Sequence, residues 1–223
     1  MKKYLIVVAG GSGTRMKSNV PKQFMLLKKK PVLMHTLSVF HEFDADLKII
    51  LVIPFEHQSE WSALCNQYNF EIPHMVTRGG ESRFHSVKNG LDTIQEDGLV
   101  AIHDGVRPLV SFENISNVFK TAELRGNAVP CIRLNDSIRK VDGENSEALN
   151  REHYRLIQTP QCFHVSKIKK AYTQDYSSLF TDCASVLENI GEKIFLVEGN
   201  FENIKITTPG DLLVAEGLMN KQV

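Results

Sequence analysis

The sequence predicts an α/β three-layer sandwich built on a mostly parallel, Rossmann-like sheet, and two observations carry that prediction. Short, apolar, β-branched runs alternate along the chain with helical patterns. Two turn sequences, one glycine-rich and one containing Asp-Gly, follow apolar runs directly, at the carboxyl ends of strands where such sheets bind ligands. The strand-like runs are 5–8, 49–53, 73–76, 100–103, 128–132 and 193–197; the helical patterns between them are 32–43, 56–67, 82–94 and 112–124. Pro209-Gly-Asp211 opens a final helix, with Asp211 placed to favour the positive end of the helix dipole. A chain of 223 residues, 42% hydrophobic, buries one substantial core, so residues 1–223 are expected to form a single domain.

One region breaks the alternation. Residues 133–154 are polar, with Asp142-Gly143 as a hairpin-type turn between two short alternating segments. A lone hairpin is marginal in water. It is therefore expected to project as an arm and to pack on something, most economically a second copy of the chain.

Composition excludes several classes. Twenty-six basic and 26 acidic residues give zero net charge, which argues against a nucleic-acid or membrane-surface protein. The apolar run after Met1-Lys-Lys is short and ends in glycines, unlike a signal peptide, and no stretch approaches the length of a membrane span. Four scattered cysteines without a Cys-x-x-Cys pair point to neither zinc nor disulfides, and the cytoplasm is the expected compartment.

The charge distribution is more informative than its sum. Up to His41 the chain carries eight Lys or Arg and no acid. Lys28 to Lys30 read as a solvated face in a loop before Pro31, whereas Arg15 and Lys22 flank the turn VVAGGSGTRM (7–16). That turn is not a dinucleotide fingerprint, because Met16 stands where a third glycine belongs, and not a Walker loop, because it runs Thr14-Arg15-Met16 rather than Lys-Ser or Lys-Thr. Backbone N–H groups opened by Gly10, Gly11 and Gly13, with cations on either side, form a pocket suited to phosphate.

Six motifs then recur in order: the opening loop with Arg15; Pro21-Lys22-Gln23; Gly79-Gly80-x-x-Arg83-x-x-Ser86-Val87-x-x-Gly90; His103-Asp104-x-x-Arg107-Pro108; Thr159-Pro160-Gln161; and Asn203-Ile-Lys-Ile-Thr207. Together, across nearly the whole chain, they resemble the 2-C-methyl-D-erythritol 4-phosphate cytidylyltransferases, CTP-dependent enzymes of non-mevalonate isoprenoid synthesis with a fold of the nucleotidyltransferase type. Two departures are visible. Cys183 stands where the family usually has glutamate, and Gly105-Val106 replaces a commoner Ala-Ala pair; both are expected to affect local packing more than chemistry.

The resemblance implies attack of a sugar-alcohol phosphate on the α-phosphorus of CTP, with Arg15, Lys22 and Lys205 as the catalytic cations. It implies CTP contacts from Ala9, Gly10, Gly11, Gly13, Gly79, Gly80, Arg83, Ser86 and Asp104. It implies sugar-phosphate contacts from Asp104, Ser137, Arg151 and Thr159, the arm crossing to the partner's site in a homodimer. Mg²⁺ is implied as cofactor, held at Asp104 and mainly by nucleotide phosphates. His103 reads as a packed strand-end residue, and Arg107 as a brace or a ligand contact. A pentitol-phosphate cytidylyltransferase, such as a ribitol 5-phosphate enzyme, shares these motifs, and a non-catalytic nucleotide-binding homologue is the alternative of another class.

Overall fold

The computed structural model describes residues 1–11 and 20–220. Gly13 and Arg15 lie outside the described residues. β1 (Lys3–Val8) occupies the middle of the main sheet, parallel to β6 (Leu99–Asp104) on one side and to β4 (Lys48–Ile53) on the other. β5 (Met75–Arg78) extends the parallel run beyond β4. On the far side of β6, β11 (Gln161–His164) runs antiparallel and is followed by β7 (Asn127–Arg133). β7 pairs in turn with β12 (Leu196–Glu198), parallel, and β10 (Arg155–Ile157), antiparallel.

Side chains alternate across β1 as a doubly covered strand requires. Leu5 and Val7 join one core with α1 (Val32–Phe43), α2 (Gln58–Gln67) and α4 (Phe112–Arg125). Tyr4 and Ile6 join the other with α3 (Arg83–Asp92), α5 (Val165–Ala171) and α6 (Cys183–Glu188). Three layers result, as the alternation of patterns predicts. A third cluster seats α7 (Pro209–Met219) against the small hairpin of β2 (Leu26–Leu27) and β3 (Lys30–Pro31).

Element ends follow local chemistry. Ser82 caps α3 and Ser111 caps α4 through their hydroxyls, and Gly126, at φ 96°, closes α4 in the left-handed region. α7 starts at Pro209 as expected; Asp211 does more than meet a dipole, since its Oδ2 accepts from Thr207 N, Thr207 Oγ1 and Thr208 N. Lys28 and Lys29 form the tip of the β2–β3 hairpin at φ 49° and 65°, with Lys28 N approaching Glu216 of α7.

Three differences from the sequence pattern have physical reasons. The strand expected at 73–76 is Met75–Arg78, with Met75 to Arg78 registered against Ile50 to Ile53. The strand expected at 193–197 starts at Leu196, because the Asn127 side chain engages Lys193 O and Phe195 N in place of ladder partners. β10 and β11 have no counterpart in the pattern: they behave as one strand interrupted at Gln158–Pro160, and between their two ladders with β7 two residues, Val129 and Pro130, face the four of 158–161. Too short and too polar to carry a period-2 signal, that strand is held only by its neighbours.

Within 133–154, β8 (Ile138–Asp142) and β9 (Asn145–Leu149) pair only with each other. The loop residues are Gly143 and Glu144, with Gly143 at φ 57°. Nearly every side chain of this hairpin is exposed. No helix among the described residues is long and apolar enough to cross a membrane.

Candidate functional site

Parallel register brings the turns after β1, β4, β5 and β6 to one edge. Val8 stands beside Val52 and Asp104, Ala9 N donates to Val52 O, Gly79 N to Ile53 O and Gly105 N to Val8 O. Between these turns opens a cleft of about 440 Å³, lined among the described residues by Ala9, Gly10, Gly11, Lys22, Gly80, Arg83, Ser86, Asp104 and Lys205 of the expected set. Val8, Gln23, Glu81, Ser82 and Val106 complete it. Lys22 lies over Gly11: a Cβ on Gly11 would sit 2.9 Å from Lys22 Cε, a contact the flexible lysine side chain could relieve by moving.

Asp104 is the electrostatic centre. Its carboxylate lies 3.0 Å from Lys205 Nζ, 3.2 Å from Arg107 Nε and 3.6 Å from Arg83 Nε. Burial alone would push its pKa up, but Arg83, Lys205 and Arg107 outweigh it and hold the group well below the usual carboxylate range. Arg107 also donates to Asn203 O at 2.8 Å, which ties the turn after β6 to the segment carrying Lys205.

Behind Asp104 lies a buried polar relay. Asp104 N donates to Thr159 Oγ1 at 3.1 Å, and Thr159 Oγ1 meets His103 Nδ1 at 3.0 Å. His103 Nε2 faces Arg107 O, which can only accept, so this nitrogen carries the proton and Nδ1 accepts from Thr159. Burial lowers the His103 pKa to about 4, keeping the ring neutral. Asn203 Nδ2 donates to Thr159 O and completes the brace. Thr159 thus stands behind the carboxylate with its hydroxyl bonded on both sides, placed there by the interruption between β10 and β11.

At the other end of the cleft, Ser86 Oγ accepts from Gly80 N at 3.0 Å. Arg83 reaches beyond Asp104: Nη1 donates to Cys183 Sγ at 3.2 Å, and Tyr172 Oη donates to the same sulfur at 3.3 Å. Burial pushes the Cys183 thiol up, more than Arg83 pulls it down, so the sulfur is a neutral acceptor. The cysteine therefore contacts the wall of the cleft through Arg83. At the second departure, a Cβ on residue 105 would meet Ala9 Cβ and Leu33 Cδ1 at 3.0 Å, while Val106 packs in the cluster under α7.

The remaining expected residues lie elsewhere. Gly79 sits one residue behind the lining, and Ser137 and Arg151 are exposed at the base of the arm, Arg151 donating to Asn135 O. Gln23, quoted in a motif but given no role, is in the lining; its burial is a tertiary property with no sequence signal. Among the described residues no three His, Cys, Asp or Glu side chains come together as a metal site.

A family model described as 2-C-methyl-D-erythritol 4-phosphate cytidylyltransferase matches residues 4–221. Proteins of that name from Bacteroides thetaiotaomicron and Bacteroides fragilis are 49% identical over 219 residues and 50% identical over 214, covering 98% and 96% of this chain and 100% and 98% of theirs. The crystal structure of the Francisella tularensis protein of that name superposes with a TM-score of 0.81 at 31% identity, covering 100% of both chains. With motifs, fold and cleft in agreement over nearly its full length, the chain belongs to the 2-C-methyl-D-erythritol 4-phosphate cytidylyltransferase family.

Proposed function

We propose that the cleft at the carboxyl edge of the sheet is where the family's reaction takes place. The chain is a nucleotidyltransferase that moves the cytidylyl group of CTP to 2-C-methyl-D-erythritol 4-phosphate, giving 4-diphosphocytidyl-2-C-methyl-D-erythritol and pyrophosphate in isoprenoid precursor synthesis. The observation that carries the siting is the convergence of Lys22, Lys205 and the exposed Gly10 and Gly11 on one cleft with Asp104.

The acceptor phosphate, with a second pKa of about 6, is already largely a dianion at neutral pH. Its oxygen forms the new bond to the α-phosphorus while the bond to the bridging oxygen of the leaving pyrophosphate breaks. No base is needed; the barrier is the meeting of two anions. Lys22 and Lys205, with Arg15 beyond the described residues, supply fixed positive charge. The Ala9–Gly11 backbone and Gly13 give the triphosphate close approach. Gly79, Gly80 and Ser86 present a small backbone turn to cytosine, and Asp104, ionised and braced by Thr159, faces ribose and acceptor.

The donor set fits Mg²⁺ only as a minor protein ligand. Asp104 is ionised, and its Oδ1 lies 3.6 Å from the nearest Arg83 nitrogen, beyond hydrogen-bond length, leaving lone pairs for a metal held mainly by phosphates. Bound there, Mg²⁺ would neutralise charge developing on the phosphoryl oxygens.

A homodimer is the proposed assembly. Leu156, Ile157, Leu196 and Phe201 are 40–54% exposed at the end of the sheet from which the arm departs, and the arm pairs only with itself. Ser137 and Arg151 would then serve the partner's cleft, Arg151 by bidentate capture of phosphate. Four free cysteines are consistent with the cytoplasm.

The test offers CTP with 2-C-methyl-D-erythritol 4-phosphate and, in parallel, with ribitol 5-phosphate, measuring pyrophosphate. Release with the first is expected; release only with the second, or with neither, would overturn the reading. A dilution series tests the assembly: activity per chain unchanged below the dissociation point of any dimer removes the shared-site proposal.

A further inference from the structure

The cleft holds a buried amide with nothing to bond. Gln23 is 1% exposed and lines the cleft, yet among the described residues neither Oε1 nor Nε2 has a hydrogen-bond partner. Its position is firmly held. Pro21 leads into a single tight turn, Lys22–Phe24, closed by Phe24 N donating to Pro21 O at 2.8 Å. Phe24, buried, anchors the turn in the core, stacked on Trp61 at 6.1 Å and edge-on to His57 at 5.9 Å. Lys22 and Gln23 are thereby both delivered to the cleft.

An orphaned buried amide is costly, and a methionine of similar length would fill the space without that cost. From this we infer that Gln23 is a substrate-contact residue whose amide binds a hydroxyl of the acceptor polyol, an inference that rests on the proposed function of the cleft. The amide must find both an acceptor and a donor. Phosphate oxygens only accept, so a phosphate would satisfy Nε2 and leave Oε1 orphaned. A hydroxyl does both: it accepts from Nε2 and donates to Oε1. Cytosine also offers both, but Gln23 is joined to Lys22, whose side chain lies over Gly11. In the proposed function that loop meets the phosphates, whereas Gly80 and Ser86 meet the base.

Gln23→Met keeps the length and removes both bonds; Gln23→Glu keeps the shape and removes the donors. The affinity of 2-C-methyl-D-erythritol 4-phosphate is measured by calorimetry on enzyme loaded with the unreactive α,β-methylene analogue of CTP. Steady-state KM values for both substrates and thermal midpoints are measured alongside. Gln23→Met, which loses two hydrogen bonds between neutral groups, should weaken the acceptor by about 5- to 100-fold, and Gln23→Glu, which loses the donors and adds a negative charge, by at least about 3-fold, with the KM for CTP within about twofold of the parent value for Gln23→Met. The Gln23→Met midpoint should not fall. An unchanged acceptor affinity in an active enzyme overturns the inference and marks the amide as structural or water-bonded. An increase in the KM for CTP equal to or larger than that for the acceptor overturns it in favour of the nucleotide. A parent enzyme that releases no pyrophosphate from the two substrates overturns the underlying function instead.

Discussion

The cleft and the arm are built by opposite means. Around the cleft, each charged or polar group answers to several elements at once: Asp104 is held by Arg83, Arg107 and Lys205, and its backbone by Thr159. The arm is held by itself. Arg139 Nε and Nη2 donate to Ser146 Oγ and O across the hairpin at 3.0 Å, and its faces are open to water. Among the described residues, the ion pairs of the cleft thus tie distant elements of one chain together, whereas the strands of the arm bond only to each other.

Four substitutions or conditions would break or sharpen that contrast. The largest effect is expected at Lys22. Lys22→Ala should lower turnover by a factor on the order of 10² to 10³, as when one preorganised stabilising group is removed; near-native turnover in a pyrophosphate assay would remove it from the chemistry.

Acid should come next. His103 titrates near 6.5 when unfolded and at about 4 in the fold, because burial opposes its charge. Above pH 6.5 both states are neutral and stability is unaffected. As pH falls from 6.5 towards 4 the unfolded chain takes up a proton that the fold refuses, so roughly 3 kcal/mol is lost through that window. His35, also lowered by burial, adds in the same direction. Urea unfolding at pH 7 and pH 4.5 checks this, and equal stabilities would contradict the neutral relay behind Asp104.

Cys183→Ala should follow. It takes the acceptor from Arg83 Nη1 and from Tyr172 in a buried setting, at a cost on the order of 1–3 kcal/mol, whereas Cys183→Ser retains an acceptor and should recover much of it. Unfolding midpoints that fail to separate the two variants would show that the sulfur only fills space. Smallest is Arg139→Ala in the arm, expected to change stability by less than about 0.5 kcal/mol. A larger loss that depends on protein concentration would mean the arm is buried in the assembled protein.

Much of this was legible before any coordinates. The alternation of apolar runs and helical patterns predicts the layers, because periodicity is a local property written residue by residue. The helix at Val32–Phe43 begins and ends where its pattern does. The two turns and Lys205 were legible as well, since glycine, Asp-Gly and motif spacing survive in the linear order, and the structure places Lys205 against Asp104.

Other features belong to register and sheet order alone. Arg83 and Cys183 are 100 residues apart and meet only because α3 and α6 share one face of the sheet. Thr159 reaches Asp104 from the interruption between β10 and β11, and Gln23 is buried in the turn that Phe24 anchors by stacking on Trp61. Local sequence states which groups can bond. Which of them face one another, and which are left without a partner, is decided when distant segments exclude water from the same small volume.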